Sequence, residues 1–367
     1  MAIGLMSGTS LDGVDVALLL TDGERIAEFG PARTYLYSEE DRIVLRQASK
    51  DALALTDRTA RPGVLGEAEA LVTRRHAEAV EAFMAAQAIS AATVDLVGFH
   101  GQTVLHDPAR RLTVQIGDGQ ALADRLSVAV AWDFRSEDVA AGGQGAPLAP
   151  VFHRALAVTA GLAGPLVFLN LGGVANVTYV GADGELLAFD TGPGNGLLDD
   201  WMLERTGRPF DANGRLAASG RASPAMLDAL LAHSYFALPP PKSLDRNTFS
   251  TASLSELSDS DGAATLLRFS ALAVKAAMAH LPRPPSAWYA CGGGRHNAEL
   301  MRVLAETLPA PVRLLEALGF DGDATEAQAF AFLGVRAADR KPLTFPTTTG
   351  VAEPLTGGNL SIPKSSG

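Results

Sequence analysis

The chain has 367 residues, 47% hydrophobic and 19% charged, with 37 Gly, 21 Pro and one Cys. At ~100–200 residues per domain this makes about two domains with real cores, and the lone Cys291 excludes a disulfide framework and any multi-cysteine zinc or iron–sulfur site. A formal charge of −11 disfavours nucleic acid, no apolar run approaches the ~18 residues of a membrane helix, and the first residues lack a secretory pattern, so a soluble cytoplasmic protein is expected.

In chain order, Ala2–Met6 and Val14–Leu20 are expected strands flanking a Gly/Ser/Thr/Asp turn, with a third β-like segment near Thr34–Tyr37. A helical pattern covers Gly66–Gln87, and short apolar runs at Val94–Phe99, Leu112–Ile116 and Val128–Trp132 read as strands. The second half repeats the plan, with strands at Leu166–Leu171, Val174–Val180 and Gly184–Phe189. Ser223-Pro224 supplies an N-cap and first-turn proline for a helix through about Ala232. A long Ala/Leu-rich helix over about Ala263–Leu281 stops at Pro282, and a strand at Ala287–Cys291 ends in Gly292-Gly293-Gly294. Helices are expected at Asn297–Leu308 and Thr325–Ala338, and Thr347–Gly367 reads as loop or tail. This is an α/β protein of duplicated architecture, divided at 135/136, with the tail from about 345 packing back on the first domain. A ligand cleft is expected between the halves.

Only five of the 30 basic residues are lysines, none lies between Lys50 and Lys242, and no Gly-x-x-x-x-Gly-Lys-Ser/Thr loop occurs. A bound nucleotide is therefore not held by the common P-loop. The segment Gly4–Asp15 is the densest run of small polar residues, and N–H groups of such a turn can hold phosphate oxygens without a lysine. Asp12 and Asp15 suit Mg²⁺; an ordinary hairpin turn is the competing reading. Asn170-Leu-Gly172-Gly173-Val-Ala-Asn176 occupies the matching hairpin of the second half, a second phosphate clamp or a plain glycine turn. In Phe189-Asp190-Thr-Gly-Pro-Gly-Asn195, an Asp before a rigid corner suits a general base, or else a local Asp-Thr turn. Arg135 in Asp133–Pro150 suits a carboxylated or hydroxylated ligand, and the bland alternative is a linker. His100 and His106 match no metal spacing and read as hydrogen-bonding histidines. Asp323-Ala-Thr-Glu326 reads locally as a capping box.

Gly4–Asp15, His100–Thr103, Gln115–Gly117, Asp133–Arg135, Ala141–Pro147, Asn170–Asn176, Phe189–Asn195, Cys291–Asn297 and the late Thr349-Gly350 stand in the order of one family. From residue 4 to about 358 the chain resembles the 1,6-anhydro-N-acetylmuramic acid kinases of bacterial cell-wall recycling, within the superfamily of acetate and sugar kinases, heat-shock ATPases and actin. The resemblance implies two actin-like (ribonuclease H-like) domains closing on ATP–Mg²⁺, in a homodimer. It implies hydrolytic opening of the 1,6-anhydro ring and phosphorylation of O6.

By position it implies an ATP phosphate loop at Gly8, Thr9, Ser10, Leu11, Asp12, Gly13, Val14 and Asp15, with Asp12 toward the metal. It adds nucleotide contacts at Gly172, Gly173, Asn176, Gly292, Gly293 and Gly294. Asp190 takes the place of the general base, Glu326 that of a substrate-side acid, and Thr103 and Arg135 those of sugar-binding residues. Arg295-His296 departs from the smaller residues common after the triple glycine, which bears on base contacts. The alternative within the superfamily is a kinase of another amino sugar or hexose without ring opening.

Overall fold

The computed structural model describes residues 1–245 and 248–364. The chain divides into two compact units, Met1–Thr159 together with the segment from Ala324 onward, and Ala160–Asp323. The expected break at 135/136 is thereby displaced. Residues up to Thr159, and the described residues after Asp323, pack with the first unit.

The first unit contains strands β1 (Ala2–Ser7), β2 (Gly13–Thr21) and β3 (Ile26–Leu36), helices α1 (Glu39–Ala52) and α2 (Leu65–Ala86), then β4 (Leu96–Asp107), β5 (Leu112–Ile116), α3 (Gly119–Leu126), β6 (Val130–Trp132), α4 (Ser136–Ala140) and α5 (Pro150–Thr159). The second unit follows with β7 (Leu166–Leu171), β8 (Val174–Val180), β9 (Leu186–Pro193), α6 (Gly196–Thr206), α7 (Arg215–Ser219), α8 (Pro224–Leu231), α9 (Asp259–Ala277), β10 (Trp288–Cys291), α10 (Ala298–Thr307) and β11 (Val312–Leu314). The chain then returns to the first unit through α11 (Thr325–Ala338) and β12 (Asn359–Ser361).

Among the described residues the first sheet has strand order β12-β6-β4-β1-β2-β3, with β5 added to β4, and the second has β11-β10-β7-β8-β9. In each, an antiparallel meander of three strands is extended by strands parallel to its first member. This shared topology is that of an actin-like, ribonuclease H-like domain, and it explains why the two halves match in plan with little residue identity. β1 is buried along nearly its whole length, as a central strand covered on both faces must be.

Two glycines set the packing of the first unit. A Cβ on Gly4 of β1 would lie 1.8 Å from the Ala327 carbonyl oxygen, and one on Gly98 of β4 would lie 1.9 Å from that of Phe330. Only a residue without a side chain lets the α11 backbone lie this close to both strands.

Several local expectations change. The strand expected at Val94–Phe99 does not end there. β4 runs on through His100–Thr103 to Asp107, and Gly101 (φ +73°) takes up a register shift between β1 and β4 that resembles a turn in the sequence. Asp190 likewise lies within β9, not before a corner. The tail is not all loop, since β12 pairs antiparallel with β6. Helix α1, absent from the expected elements, is announced by Ser38, whose hydroxyl and the Asp41 carboxylate form a reciprocal capping box.

The segment Asp259–His280 is long and apolar enough to cross a membrane by length and mean hydropathy (1.3), contrary to the expectation that no run comes close. It packs as the core helix of the second unit. Phe269, Ala271 and Val274 are buried, and Gly262 meets the Trp201 ring so closely that a Cβ would lie 2.1 Å from it.

Candidate functional site

The turn between β1 and β2 is held from beneath. The Gln102 carboxamide accepts from Ser7 Oγ (2.5 Å) and donates to the Gly8 carbonyl (3.1 Å), while Tyr37 Oη sits 3.0 Å from the same Ser7 hydroxyl. Arg42 Nε donates to the Leu11 carbonyl (3.1 Å), and Tyr37 N donates to that of Asp12 (3.1 Å). The loop carbonyls are thus engaged, whereas the exposed Thr9 and Ser10 donate no backbone N–H to any described residue. Inward-tied carbonyls and unused N–H groups are what a phosphate cradle requires. Leu11 turns with φ +59° and buries its side chain. Gly13 and Val14 are paired with Leu36 and Tyr35, and Val14 faces the core, so these two support the loop from the strand. Asp15 Oδ1 accepts from Thr34 Oγ1 (2.6 Å).

Further residues of the same unit gather around Arg135. Its guanidinium donates to the Gly145 carbonyl (2.8 Å) and lies 3.0 Å from His100 Nε2, while His100 Nδ1 is 2.9 Å from the Gly101 carbonyl. That pairing requires a neutral His100 whose Nδ1–H donates and whose Nε2 accepts. Burial and the neighbouring guanidinium hold its pKa well below the usual value. Arg135 itself is pushed down to about 10 by burial, with Glu326 and Asp138 opposing. Thr103, on β4 opposite Gln115, accepts from that carboxamide at 3.3 Å. Asp138 accepts from Thr349 Oγ1 (2.6 Å) and Gly145 N (2.6 Å), tying the Ala141–Pro147 segment to the late Thr349-Gly350.

Glu326 is not part of a capping box. α11 begins after Ala324 with no side-chain cap bond, and Asp323 pairs with Arg295 instead. The Glu326 carboxyl accepts no bond from a described residue. It keeps an exposed surface, yet protein crowds around it. That desolvation, with Asp15 adding repulsion against the pull of Arg135, raises its pKa. Glu326, Arg135 and Asp15 therefore share one electrostatic neighbourhood.

In the second unit, register aligns four side chains across four strands. Cys291 pairs with Asn170, Asn170 with Asn176, and Asn176 with Asp190. In-register neighbours project from one face, so Asn170, Asn176 and Asp190, each half-buried, make a polar row. Cys291 closes it as a buried core thiol. Beside this row the glycine segments interlock. Gly172 and Gly173 carbonyls accept from Asn195 N (2.8 Å) and from Gly194 N and Gly196 N (3.0 Å each). A Cβ on Gly292 would meet Asn170 Oδ1 at 2.2 Å, and one on Gly294 would meet Asn195 Nδ2 at 2.6 Å, whereas Gly293 faces open space. Gly292 and Gly294 thus serve packing, and Gly293 is the one left accessible to a ligand.

Arg295 does not face a ligand. Its guanidinium is buried and donates to Glu316 (2.8 Å), Asp323 (2.9 Å) and the Gly292 carbonyl (3.2 Å), clamping the triple-glycine turn. His296 is exposed beside Asp323.

Asp190 is held on one side only. Oδ2 accepts from Leu244 N (2.8 Å), and Oδ1 takes no bond from a described residue. Burial pushes its pKa up to about 6, with the Leu244 bond opposing. Its backbone is fixed as well: Asp190 N donates to the Lys242 carbonyl (3.0 Å), and Tyr235 Oη donates to the Asp190 carbonyl (2.5 Å). Lys242 Nζ in turn donates to the Tyr235 carbonyl (3.1 Å) and sits 4.7 Å from the Tyr235 ring centre. Tyr235, Lys242 and Leu244 were not legible as site residues. They lie about fifty residues downstream, and only the return of the chain past β9 brings them to Asp190. A carboxylate with a free oxygen and a pKa near neutrality is suited to accept a proton.

Among the described residues no three His, Cys, Asp or Glu side chains converge as a metal cage. Asp12 offers an exposed carboxylate with no hydrogen bond to a described residue. A single carboxylate fits Mg²⁺, which takes its other ligands from phosphates and water.

The buried histidines make stability acid-sensitive. Burial pushes His76 down to about 4 and His153 to about 3, against about 6.5 in an unfolded chain. Their contribution is complete above pH 6.5 and is lost as pH falls toward 4, because the unfolded chain takes up protons that the folded one refuses. The melting temperature should drop steeply between pH 6.5 and 4.5. His76→Leu should flatten that drop by about 1–3 kcal/mol, and an unchanged slope in scanning calorimetry would refute the assignment.

A family profile described as Anhydro-N-acetylmuramic acid kinase matches residues 1–362. Curated relatives of that name include one from Rhodopseudomonas palustris, 56% identical over 363 residues and covering 99% of both chains. Another, from Methylobacterium nodulans, is 54% identical over 372 residues, covering 99% of this chain and 100% of the relative. Among solved structures, a ROK family glucokinase from Streptomyces griseus in complex with glucose and AMPPNP matches at 14% identity and a TM-score of 0.40, covering 91% of this chain and 98% of that one. The activator of 2-hydroxyisocaproyl-CoA dehydratase from Clostridium difficile, with ADPNP bound, matches at 13% and 0.45, covering 92% and 96%.

Proposed function

The chain belongs to the anhydro-N-acetylmuramic acid kinase family, and from that premise we propose how its residues carry out the reaction and what the reaction is. The enzyme takes 1,6-anhydro-N-acetylmuramic acid, ATP and water to N-acetylmuramic acid 6-phosphate and ADP. Asp190 Oδ1 accepts a proton from water as the water oxygen bonds to the anomeric carbon. The bond from that carbon to O6 breaks, and O6 bonds to the γ-phosphorus as ADP leaves. The observation that carries this reading is the Asp190 carboxyl, anchored at Oδ2 by Leu244 N, free at Oδ1, and raised to about 6.

The remaining residues position and neutralise, which is most of what phosphoryl transfer asks of a protein. The N–H groups of Thr9 and Ser10 hold phosphate oxygens, and Gly172, Gly173 and Gly293 admit the nucleotide close to the backbone. Mg²⁺ held by Asp12 supplies charge neutralisation of the phosphates when bound. Thr103 and Arg135 bind the sugar, where a guanidinium matches the lactyl carboxylate. Glu326, with its raised pKa, is the substrate-side acid. The reading places the enzyme in the cytoplasm, as a homodimer, in the recycling of peptidoglycan sugars. These last assignments rest on the family resemblance.

Incubation of the protein with the anhydro sugar, Mg-ATP and ¹⁸O-water tests the reaction. The expected product is a sugar 6-phosphate carrying one ¹⁸O at the anomeric position by mass spectrometry. Phosphorylation of an ordinary open amino sugar, with no conversion of the anhydro sugar, would favour a kinase without ring opening.

A further inference from the structure

A surface pocket of about 310 Å³ lies in the first unit between α5, the last turns of α11 and the turn joining β2 to β3. Arg336 on its wall is ten residues beyond Glu326 on the same helix, about 15 Å at 1.5 Å per residue. The pocket is therefore separate from the residues assigned to catalysis.

Its walls are cationic and incompletely satisfied. Arg154 of α5 is half-buried and makes no hydrogen bond or ion pair with any described residue; its guanidinium only lies over the Phe345 ring, 5.9 Å from the centre. Burial lowers its pKa, with Glu24 opposing. A guanidinium carries five N–H donors, and leaving them partly desolvated without an acceptor is unfavourable. Arg336 beside it is buried, its donors bonded to the Pro342 carbonyl (2.6 Å and 2.9 Å) and the Gly23 carbonyl (2.7 Å). It contributes a fixed positive charge. Arg25 is exposed at the rim. The acidic group lining the pocket is Glu24, exposed and 3.7 Å from Lys341 Nζ. Val151 and Phe332 supply an apolar floor, both buried.

We propose that this pocket binds a small organic oxyanion, with a carboxylate or phosphate head on Arg154 and an apolar body against Val151 and Phe332. A guanidinium pairs with either head in a bidentate manner, and the apolar floor discriminates against a bare inorganic ion.

Calorimetric titration of the full chain with benzoate, phenyl phosphate and inorganic phosphate tests this. Saturating Mg-AMPPNP is present throughout, to occupy the nucleotide site. Benzoate or phenyl phosphate is expected to bind more tightly than inorganic phosphate, and the tighter of the two identifies the head group. Arg154→Gln is expected to weaken that binding at least about tenfold, and Glu24→Gln, which removes the like charge, to tighten it. Binding that is equal in wild type and Arg154→Gln, or absent for both organic probes up to about 10 mM, overturns the proposal. The comparison with Arg154→Gln locates the pocket even if AMPPNP fails to bind, so its outcome is separable from that of the kinase reaction.

Discussion

Asp190→Asn is expected to lower kcat by about 10²–10⁴-fold while raising thermal stability at pH 7. The carboxyl is pushed up to about 6 in the fold, against about 3.9 in an unfolded chain. Its favourable contribution is therefore complete below pH 4 and lost as pH rises through 6, so at neutrality the ionised group opposes folding. Asparagine keeps an oxygen for Leu244 N and removes the charge. Allowing for the partial solvent contact of Asp190, the gain is about 1–2 kcal/mol. In the wild type, kcat/KM should fall on the acid side near pH 6, not near pH 4. A variant that keeps more than about a tenth of wild-type kcat, measured by ADP release with the anhydro sugar, would remove Asp190 from the chemistry. Loss of activity with a lowered melting temperature would instead mark it as a structural residue.

Gly98→Val is expected to disrupt the first unit, at a cost of about 3–5 kcal/mol or more. Valine must place its Cβ where only 1.9 Å separates it from the Phe330 carbonyl oxygen, and that obstacle is helix backbone, not a movable side chain. Relief requires α11 to lift from β4. The Gly4 contact with Ala327 shows that the same helix is seated equally closely on β1. Because α11 carries Glu326, activity should fall even in the fraction that remains folded. Urea unfolding followed by circular dichroism reads the effect. A midpoint within experimental scatter of wild type would show that the seating of α11 is not the constraint inferred here.

The elements themselves were largely legible in the residues. β5, β7, β8 and α11 begin and end where apolar patterning and turn residues place them. The mistakes have physical causes. Gly101 carries the local signature of a turn but serves a bulge inside β4, because the demand for a positive φ arises from pairing with a strand far away in sequence. Asp323 and Glu326 have capping-box spacing, yet Asp323 is drawn to the buried Arg295 and Glu326 is left without a bonded partner. A local motif loses when a long-range charge partner binds one of its members more strongly.

The residues alone were enough to establish a two-part α/β protein without a P-loop lysine, and to bring out the polar segments on which the family resemblance rests. The first two follow from composition, period and spacing, which are properties of the chain alone, and the third from likeness to a known family. Only the tertiary structure decided that Asn170, Asn176 and Asp190 stand in one row, that Tyr235, Lys242 and Leu244 hold Asp190, and that Arg295 seals its turn instead of meeting a ligand. It also decided which glycines face open space and which are pressed against backbone. Register and burial are set by which distant segments meet, and burial is what moves a carboxyl from its ordinary acidity to one that can take a proton near neutrality.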